Sequence, residues 1–254
     1  MSQSGNLPSP NIGLLVFAAL TIGYFLIQYK TEEKHSTVTM IVYLILLIIS
    51  QFGLNINLTK NLCGETHVKT AFFYTMFPWV FIFGLLNLML LMFPGWLSPF
   101  SNTFGYMIVS TLGGLNNVLG EVLKSKEQTQ DSELSKTLGK IYDNPSLLIN
   151  EIPDPNVGYE DFWHKLDKGG LLSSNANDYY TKLQDLVRLK FIISKFIWLG
   201  LTGAFTIVTS YNYIIQAQCS SSVKEMERRH SDYQQLVKEN SEKEIEPRVY
   251  SDHG

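Results

Sequence analysis

The sequence predicts an all-α, multipass transmembrane protein with four spans and a helical aqueous insertion. Apolar and charged residues are segregated along the chain, although the mean hydropathy is close to zero. Residues 12–97, apart from two polar loops, and residues 196–217 are strongly apolar, whereas 124–190 and 218–254 are charged. Residues 196–216 contain no charge and would form a helix of roughly 31 Å, about the thickness of a bilayer's hydrocarbon core.

Four segments are expected to span the membrane: residues 12–28, 37–54, 71–93 and 196–216. The polar turn at 30–36 is too short for a domain, so the first two spans form an antiparallel helical hairpin. Residues 55–70 are expected to form a loop. Pro78 either kinks the third span or begins it, with 71–77 lying along the membrane interface.

These segments predict five regions. They are an N-terminal two-span hairpin (1–54), a third span with an aromatic loop and helix (55–123), an acidic helical insertion (124–190), the fourth span (191–217) and a charged tail (218–254).

Aromatic and basic residues at the ends of the spans predict anchors at the membrane interface. Trp198 lies near one end of the fourth span, and Tyr211 and Tyr213 lie near the other. Lys195 stands one residue outside this span, and Trp96 follows the third span. Aromatic rings with polar edges favour the interface, and a lysine amine can extend to it.

Polar and small residues inside the spans predict helix packing. Asn87 should face another helix, with Gln51 or Asn212 as its partner, because an amide is costly in lipid. Gly200 and Ala204 are four residues apart, a spacing of small residues that lets a second helix approach closely.

Residues 104–123 are partly apolar but rich in glycine and asparagine. Three interpretations remain open: a helix in or near the interface, a re-entrant segment, or a true span. The acidic insertion should be helical, because Leu134, Leu138 and Ile141 follow a helical spacing. Further helices are expected at 145–152 and 159–168.

A final helix beginning near Ser173 or Ser174 should carry Leu183, Leu186 and Val187 on one apolar face and run unbroken into the fourth span. In the tail, apolar residues recur at 3-4 spacing from Val223 to Val237. Either an amphipathic extension of the membrane helix or a short coiled coil with a partner explains this spacing. Residues after 244 are expected to be disordered.

An even number of spans places Cys63 and Cys219, the two cysteines, on one side of the membrane. A disulfide bond between them, two free thiols and palmitoylation all remain open. Asn57 begins an Asn-Leu-Thr glycosylation sequon close to the bilayer. Basic residues at the span ends nearly balance across the membrane, so they do not orient the protein.

No motif for catalysis or cofactor binding is present, and we expect neither activity nor cofactor. His164 lies among Glu160, Asp161 and Asp167, but no second histidine or cysteine is near enough to complete a metal site. The spans hold no ionisable residue between their boundaries, which argues against transport. The weak net charge and the lack of a basic stripe argue against nucleic-acid binding.

Two stretches together resemble a known family. They are FPGWLSPFSNTFGY at 93–106 and LVRLKFIISKFIWLGLTGAFTIVTSYNYII at 186–215. Both resemble the membrane-embedded minor capsid proteins of large icosahedral double-stranded-DNA viruses, the chlorovirus kind in particular, over roughly residues 71–219. The family pattern has an acidic residue just before Phe-Ile-Trp, where this chain has Lys195.

The resemblance implies a structural virion protein in the inner membrane that tethers this membrane to the capsid shell. Its implied partners are membrane lipids and other capsid proteins, with no nucleic acid and no small-molecule substrate, and its site during assembly is a host internal membrane. From the residues alone, a cellular multipass scaffold or assembly factor remains an alternative. A pore or transporter and a lipid-active enzyme are further alternatives.

Overall fold

The computed structural model describes residues 9–30, 36–125, 131–152, 158–217 and 223–244. Within these ranges the regular structure is helical without a β-strand, and a single isolated bridge pairs Leu123 with Leu172. The all-α class is therefore confirmed. The chain divides into two compact units, Met1–Ile215 and Gln216–Gly254.

The larger unit contains the membrane helices. In chain order its described α-helices are α1 (Asn11–Lys30), α2 (Ser36–Cys63), α3 (Val68–Met92), α4 (Tyr106–Thr111), α5 (Leu115–Val122), α6 (Ser132–Asp143), α7 (Ser146–Ile149), α8 (Tyr159–Lys168) and α9 (Tyr180–Gln216). Of these, α1, α2, α3 and α9 are long and apolar enough to cross a membrane. The prediction of four spans is confirmed.

The four long helices share a core that is largely aromatic, which we call the membrane core. Its buried members are Phe17, Tyr24, Phe25, Tyr43, Leu47, Trp79, Phe83, Leu199 and Ile207. The Tyr24 and Tyr43 rings stack with centroids 4.4 Å apart and join α1 to α2. Many large apolar side chains on the outer faces of these helices are exposed, an arrangement suited to lipid rather than water.

Helix α2 continues to Cys63, so the predicted loop at 55–70 is wrong. Only residues 64–67 separate α2 from α3. Two of the polar residues that suggested a loop face the bundle, because Asn55 and Thr59 are both buried and are one helical turn apart. The predicted turn at 30–36 lies largely in residues 31–35, outside the described residues.

Helix α3 passes through Pro78 without ending there, and a π-helical segment, Trp79–Gly84, follows directly. Proline has no N–H, so Pro78 cannot donate to the carbonyl of Tyr74 four residues earlier. The Ser210 hydroxyl of α9 donates to that carbonyl at 2.6 Å. The side chain of a neighbouring helix therefore satisfies the carbonyl that the proline leaves without its usual donor.

Residues 94–123 form two helical stretches, divided at Gly114, whose φ of +71° favours glycine. The first stretch comprises a 3₁₀ turn, a single α turn, a π segment and α4. The second is α5, and its face of Leu115, Val118, Leu119 and Val122 is buried. The range 104–123 is therefore not one continuous helix, and the choice among the three interpretations of how it lies relative to the membrane stays open.

The buried face of α5 joins a second core, which we call the aqueous core. Its members are Val109, Leu115, Val118, Leu119, Val122, Leu123, Leu138, Ile141, Leu148, Ile149, Ile152, Tyr159, Phe162, Leu166, Ala176, Leu183, Leu186 and Val187. The folded insertion thus begins before the predicted boundary at residue 124.

The helices predicted in the insertion are present. In α6, Leu138 and Ile141 are buried and Leu134 packs against them, as their spacing predicted. Helix α7 is shorter than the predicted 145–152, whereas α8 has the predicted bounds.

The smaller unit contains α10 (Val223–Glu244). Tyr233, Leu236 and Val237 are exposed on this helix. The choice between an amphipathic extension and a coiled coil stays open. The predicted disorder after residue 244 lies outside the described residues.

Candidate functional site: the junction of the insertion and the membrane helices

Helix α9 belongs to both cores. Leu183, Leu186 and Val187 of its N-terminal half lie in the aqueous core, and Leu199 and Ile207 lie in the membrane core. The helix is 37 residues long and continuous. That length corresponds to about 55 Å, well beyond what a bilayer core requires. The predicted continuity of this helix into the fourth span is confirmed, whereas its predicted start near Ser173 or Ser174 is wrong, because the α-helix begins at Tyr180 after a 3₁₀ turn.

A buried lysine connects α9 to the insertion. Lys190 is only 1% exposed. Its Nζ donates to the carbonyl of Ile149 at 2.8 Å and to Asn150 Oδ1 at 2.9 Å. A buried ammonium group requires such partners, because losing water without replacement is costly. These bonds fix the end of α7 against α9.

In the sequence, Lys190 is one of the basic residues near the end of the fourth span, and its burial and partners were not predicted. A signal was present in the spacing. Leu183, Leu186, Val187, Lys190 and Ser194 recur at helical intervals, and all are buried. A lysine that falls on the apolar face of a helix has two possible arrangements. Its amine either extends to water or is buried and bonded to hydrogen-bond acceptors.

Two glycines let the chain before the insertion lie directly on α9. A Cβ at Gly105 would stand 2.6 Å from the Lys190 carbonyl oxygen, and one at Gly113 would stand 2.8 Å from Leu186 Cδ2. A larger side chain at Gly105 would require the backbone to shift, and one at Gly113 would also stand 2.7 Å from the Val109 carbonyl oxygen. We call the region formed by Lys190, its partners and residues 93–113 the junction.

Aromatic residues surround α9 where its uncharged stretch begins. The Trp198 ring lies 6.0 Å from the rings of both Trp96 and Phe100, between centroids. Lys195 Nζ lies 4.4 Å from the centroid of the Phe191 ring. Trp96, Trp198 and Lys195 therefore lie at one end of the stretch, and their role as interface anchors stays a prediction.

The other two predicted anchors lie at the opposite end of the stretch. Tyr213 is exposed, and its ring centroid lies 5.8 Å from that of Tyr74 on α3. Tyr211 is half-buried. About 20 Å of helix separates Trp198 from Tyr211, which is shorter than the roughly 30 Å hydrocarbon core, so their placement at opposite interfaces stays a prediction.

Backbone and side-chain hydrogen bonds close the insertion near the junction. Lys124 N donates to the Leu171 carbonyl at 2.9 Å, and Ser173 N donates to the Val122 carbonyl at 2.8 Å. The Tyr159 hydroxyl donates to the Tyr180 carbonyl at 2.9 Å. Burial raises the pKa of Tyr159, which keeps this phenol a neutral donor at physiological pH. The Tyr159 bond thereby holds the start of α9 against α8.

Inside the bundle, one amide links three helices. Asn55 Nδ2 of α2 donates to Thr75 Oγ1 of α3 at 2.8 Å and to Ser210 Oγ of α9 at 2.9 Å. Sequence reasoning assigned Asn55 to a loop and missed this role. Asn55 lies four residues after Gln51, which was predicted to be in the second span. This helical spacing was the available signal that α2 continues through Asn55.

The predicted partners of Asn87 are wrong. Asn87 Nδ2 donates to the Phe83 carbonyl of its own helix at 2.7 Å. Gln51 instead donates to the Gly13 carbonyl of α1 at 2.9 Å, and Asn212 is exposed. A bond one turn back along its own helix satisfies the Asn87 amide without a neighbouring helix.

The close helix approach lies at Gly203 rather than at Gly200. A Cβ at Gly203 would stand 2.1 Å from Phe17 Cζ of α1, whereas a Cβ at Gly200 would meet no described atom within 4 Å. Ala204 is half-buried. The face that carries Gly200 and Ala204 is thus not the face that packs against α1.

Cys63 is disulfide-bonded. Its predicted partner, Cys219, lies outside the described residues, so the pairing stays a prediction. Asn57 is exposed but lies inside α2, and the neighbouring Thr59 is buried. A sequon within a helix is a poor acceptor, because glycosylation sites occupy surface loops.

The acidic group around His164 lines a shallow depression on α8, together with Trp163 and Tyr180. Among the described residues, no group of three or more histidine, cysteine or carboxylate side chains is arranged to hold a metal ion.

Comparisons with protein-family models, curated proteins and solved structures gave no match. The function is therefore argued from the junction and from the sequence.

Proposed function

We propose that this chain is a structural virion protein that tethers an inner membrane to the capsid shell and supports capsid assembly. The observation that carries the proposal is the continuity of α9 from the aqueous core into the membrane core. A tether must transmit force between a shell and a bilayer, and an unbroken helix packed at both ends does this without a hinge.

The junction supports this role because it resists bending where α9 leaves the insertion. Lys190 holds α7, Gly105 allows contact between backbones, and Trp96 packs beside Trp198. Arg188 Nη2 also donates to the Gln28 carbonyl at the end of α1, at 3.2 Å. A load applied to the insertion would thus reach at least two membrane helices.

The charge of the insertion suits contacts with other capsid proteins. Residues 131–185 carry ten acidic residues and five lysines. In this proposal the partners present basic or polar surfaces to the insertion, and the charged tail offers a second surface. The resemblance of residues 93–106 and 186–215 to chlorovirus-type minor capsid proteins favours a virion over a cellular scaffold.

Purified particles provide the first test of this role. We expect the chain to co-purify with them, to resist extraction by salt and alkali, and to be released by detergent. Cross-linking followed by mass spectrometry should connect the insertion to capsid proteins. Absence of the chain from purified particles would reject the proposal in favour of a cellular scaffold.

A variant pair tests the mechanical argument. Ile193 lies in the part of α9 between the aqueous core and the membrane core. Ile193→Pro removes one backbone hydrogen bond within α9 and should cost about 3 kcal/mol of helix stability. We expect this variant to insert into membranes but to reduce the yield of closed particles, whereas Ile193→Ala should assemble normally. Normal assembly of the proline variant would contradict the tether mechanism.

A further inference from the structure

A partly enclosed cavity of about 100 Å³ lies where α1 begins, between α1, α2 and α9. Its walls combine amides with aliphatic side chains: Gln51, Asn55, Asn57 and Asn61 on one hand, and Ile12, Leu54, Leu58 and Ile207 on the other. A water molecule takes about 30 Å³ of liquid volume, so the cavity has room for a small polar group.

The orientation of the Asn55 amide follows from its neighbours. The Thr75 hydroxyl donates to the Ala71 carbonyl, and the Ser210 hydroxyl donates to the Tyr74 carbonyl, each at 2.6 Å. Both hydroxyls have thereby used their only proton, so each can only accept from Asn55. Asn55 must present its NH₂ group to them, which uses both of its donors. Its carbonyl oxygen is left as an acceptor.

The Gln51 amide is fixed in the same way. Its Nε2 donates to the Gly13 carbonyl, which can only accept, so Oε1 is the second acceptor. Gln51 and Asn55 are 3% and 8% exposed. Neither carbonyl oxygen has a hydrogen-bond donor among the described residues. The two amide oxygens are therefore acceptors that a ligand or water in the cavity can use.

Ile12 and Gly13 in the first turn of α1 also line this cavity. The N–H groups of Asn11, Ile12 and Gly13 have no intrahelical acceptor, and the start of a 20-residue helix favours negative charge. The cavity therefore combines acceptors for a hydroxyl or ammonium group with donors for an anion. It also lies beyond residue 50 of α2, at the end of the uncharged part of that helix.

We propose that this cavity binds the headgroup of a phospholipid that carries N–H or O–H donors, with the phosphate at the start of α1 and the ammonium or hydroxyl group at Gln51 and Asn55. Phosphatidylethanolamine and phosphatidylglycerol meet this requirement. Phosphatidylcholine does not, because its trimethylammonium group has no N–H. The inference is independent of the proposed role in a virion.

Lipid retention tests the proposal. The full chain would be purified into nanodiscs that contain equal amounts of phosphatidylethanolamine and phosphatidylcholine, and bound lipid would be counted by native mass spectrometry after release from the disc. We expect about tenfold preference for phosphatidylethanolamine, the ratio expected for two hydrogen bonds of ordinary strength. Gln51→Leu should abolish the preference.

Two further variants separate binding from folding. Asn87→Leu, an equivalent change outside the cavity, should keep the preference. Gly13→Ala places a Cβ 3.2 Å from Gln51 Oε1 and should reduce lipid retention without unfolding the bundle. The melting temperature of each variant reports on folding.

Equal retention of both lipids by the wild-type chain, or an unchanged preference in Gln51→Leu, would overturn the proposal and leave water as the occupant. Free phosphoethanolamine should compete only weakly, since it lacks acyl chains to pack on the helices. Competition with an affinity equal to that of the lipid would reject the lipid as the source of the headgroup.

Discussion

At the scale of single residues, Asn55 shows how a polar side chain can stabilise a membrane bundle. Its amide bonds to hydroxyl groups on two other helices, and those hydroxyls bond to backbone carbonyls. One of these carbonyls, that of Tyr74, lacks its usual donor because of Pro78. The network therefore supplies a donor to this carbonyl of α3 and also joins α2, α3 and α9.

Asn55→Ala should lower the free energy of unfolding by about 1–2 kcal/mol, the upper range for hydrogen bonds between membrane helices. Unfolding in mixed micelles with increasing SDS measures this change. Asn57→Ala, an exposed site on the same helix, should have no measurable effect. Equal destabilisation by the two variants would contradict the network.

Lys190 is the corresponding residue at the junction. Lys190→Met keeps most of the aliphatic stem but leaves the buried Ile149 carbonyl without this donor. We expect a loss of about 2–3 kcal/mol, the range for buried hydrogen bonds to a charged group. Proteolysis within α6 to α8 should become faster in this variant.

The matched control for this lysine is Lys182→Met, an exposed position on the same helix. It should leave both stability and protease resistance unchanged. Wild-type stability of Lys190→Met would show that the amine does not hold the insertion.

At the scale of elements, the fit between α1 and α9 depends on Gly203. Gly203→Ala should destabilise the bundle by about 1–3 kcal/mol, because the added methyl group would overlap the buried Phe17 ring. The thermal unfolding midpoint in detergent measures the change. Phe17→Leu in the same chain should recover part of the loss.

Gly200→Ala is the control for this steric effect. It adds the same methyl group one turn earlier into open space, and alanine has the higher helix propensity. We expect unchanged or slightly raised stability. If Gly200→Ala destabilised the bundle more than Gly203→Ala, the face of α9 that packs against α1 would not be the one that carries Gly203.

At the scale of the whole molecule, four spans predict a simple topology. An even number of crossings places both termini on one side of the membrane and the insertion on the other. Ser174 lies in an exposed loop, where a protease-sensitive epitope tag can be inserted. In sealed vesicles this tag should be protected whenever a C-terminal tag is cleaved, and it should be cleaved whenever the C-terminal tag is protected.

Detergent supplies the control for this topology, because both tags should be cleaved once the bilayer is opened. Simultaneous cleavage of both tags in intact vesicles would exclude four crossings. The same vesicles show which side faces the cytosol, the information that the balanced basic residues do not provide.

The sequence alone determined the helical class, the number of spans and the unbroken entry of α9 into the membrane. These properties depend on the local density of apolar residues and on the fixed thickness of a bilayer, and both can be read along the chain. The end of α8 also followed from a local signal, since Gly169-Gly170 comes directly after it.

The tertiary structure decided which side chains meet. Asn55 suggested a loop until its partners on α3 and α9 were known, and Lys190 was one of several basic residues near a span end until α7 covered it. Gly200 and Gly203 both fit a pattern of small residues, and only the rotation of α9 against α1 selects Gly203. Polarity and size are properties of one residue, whereas burial and partners depend on distant segments, so no local pattern could assign them.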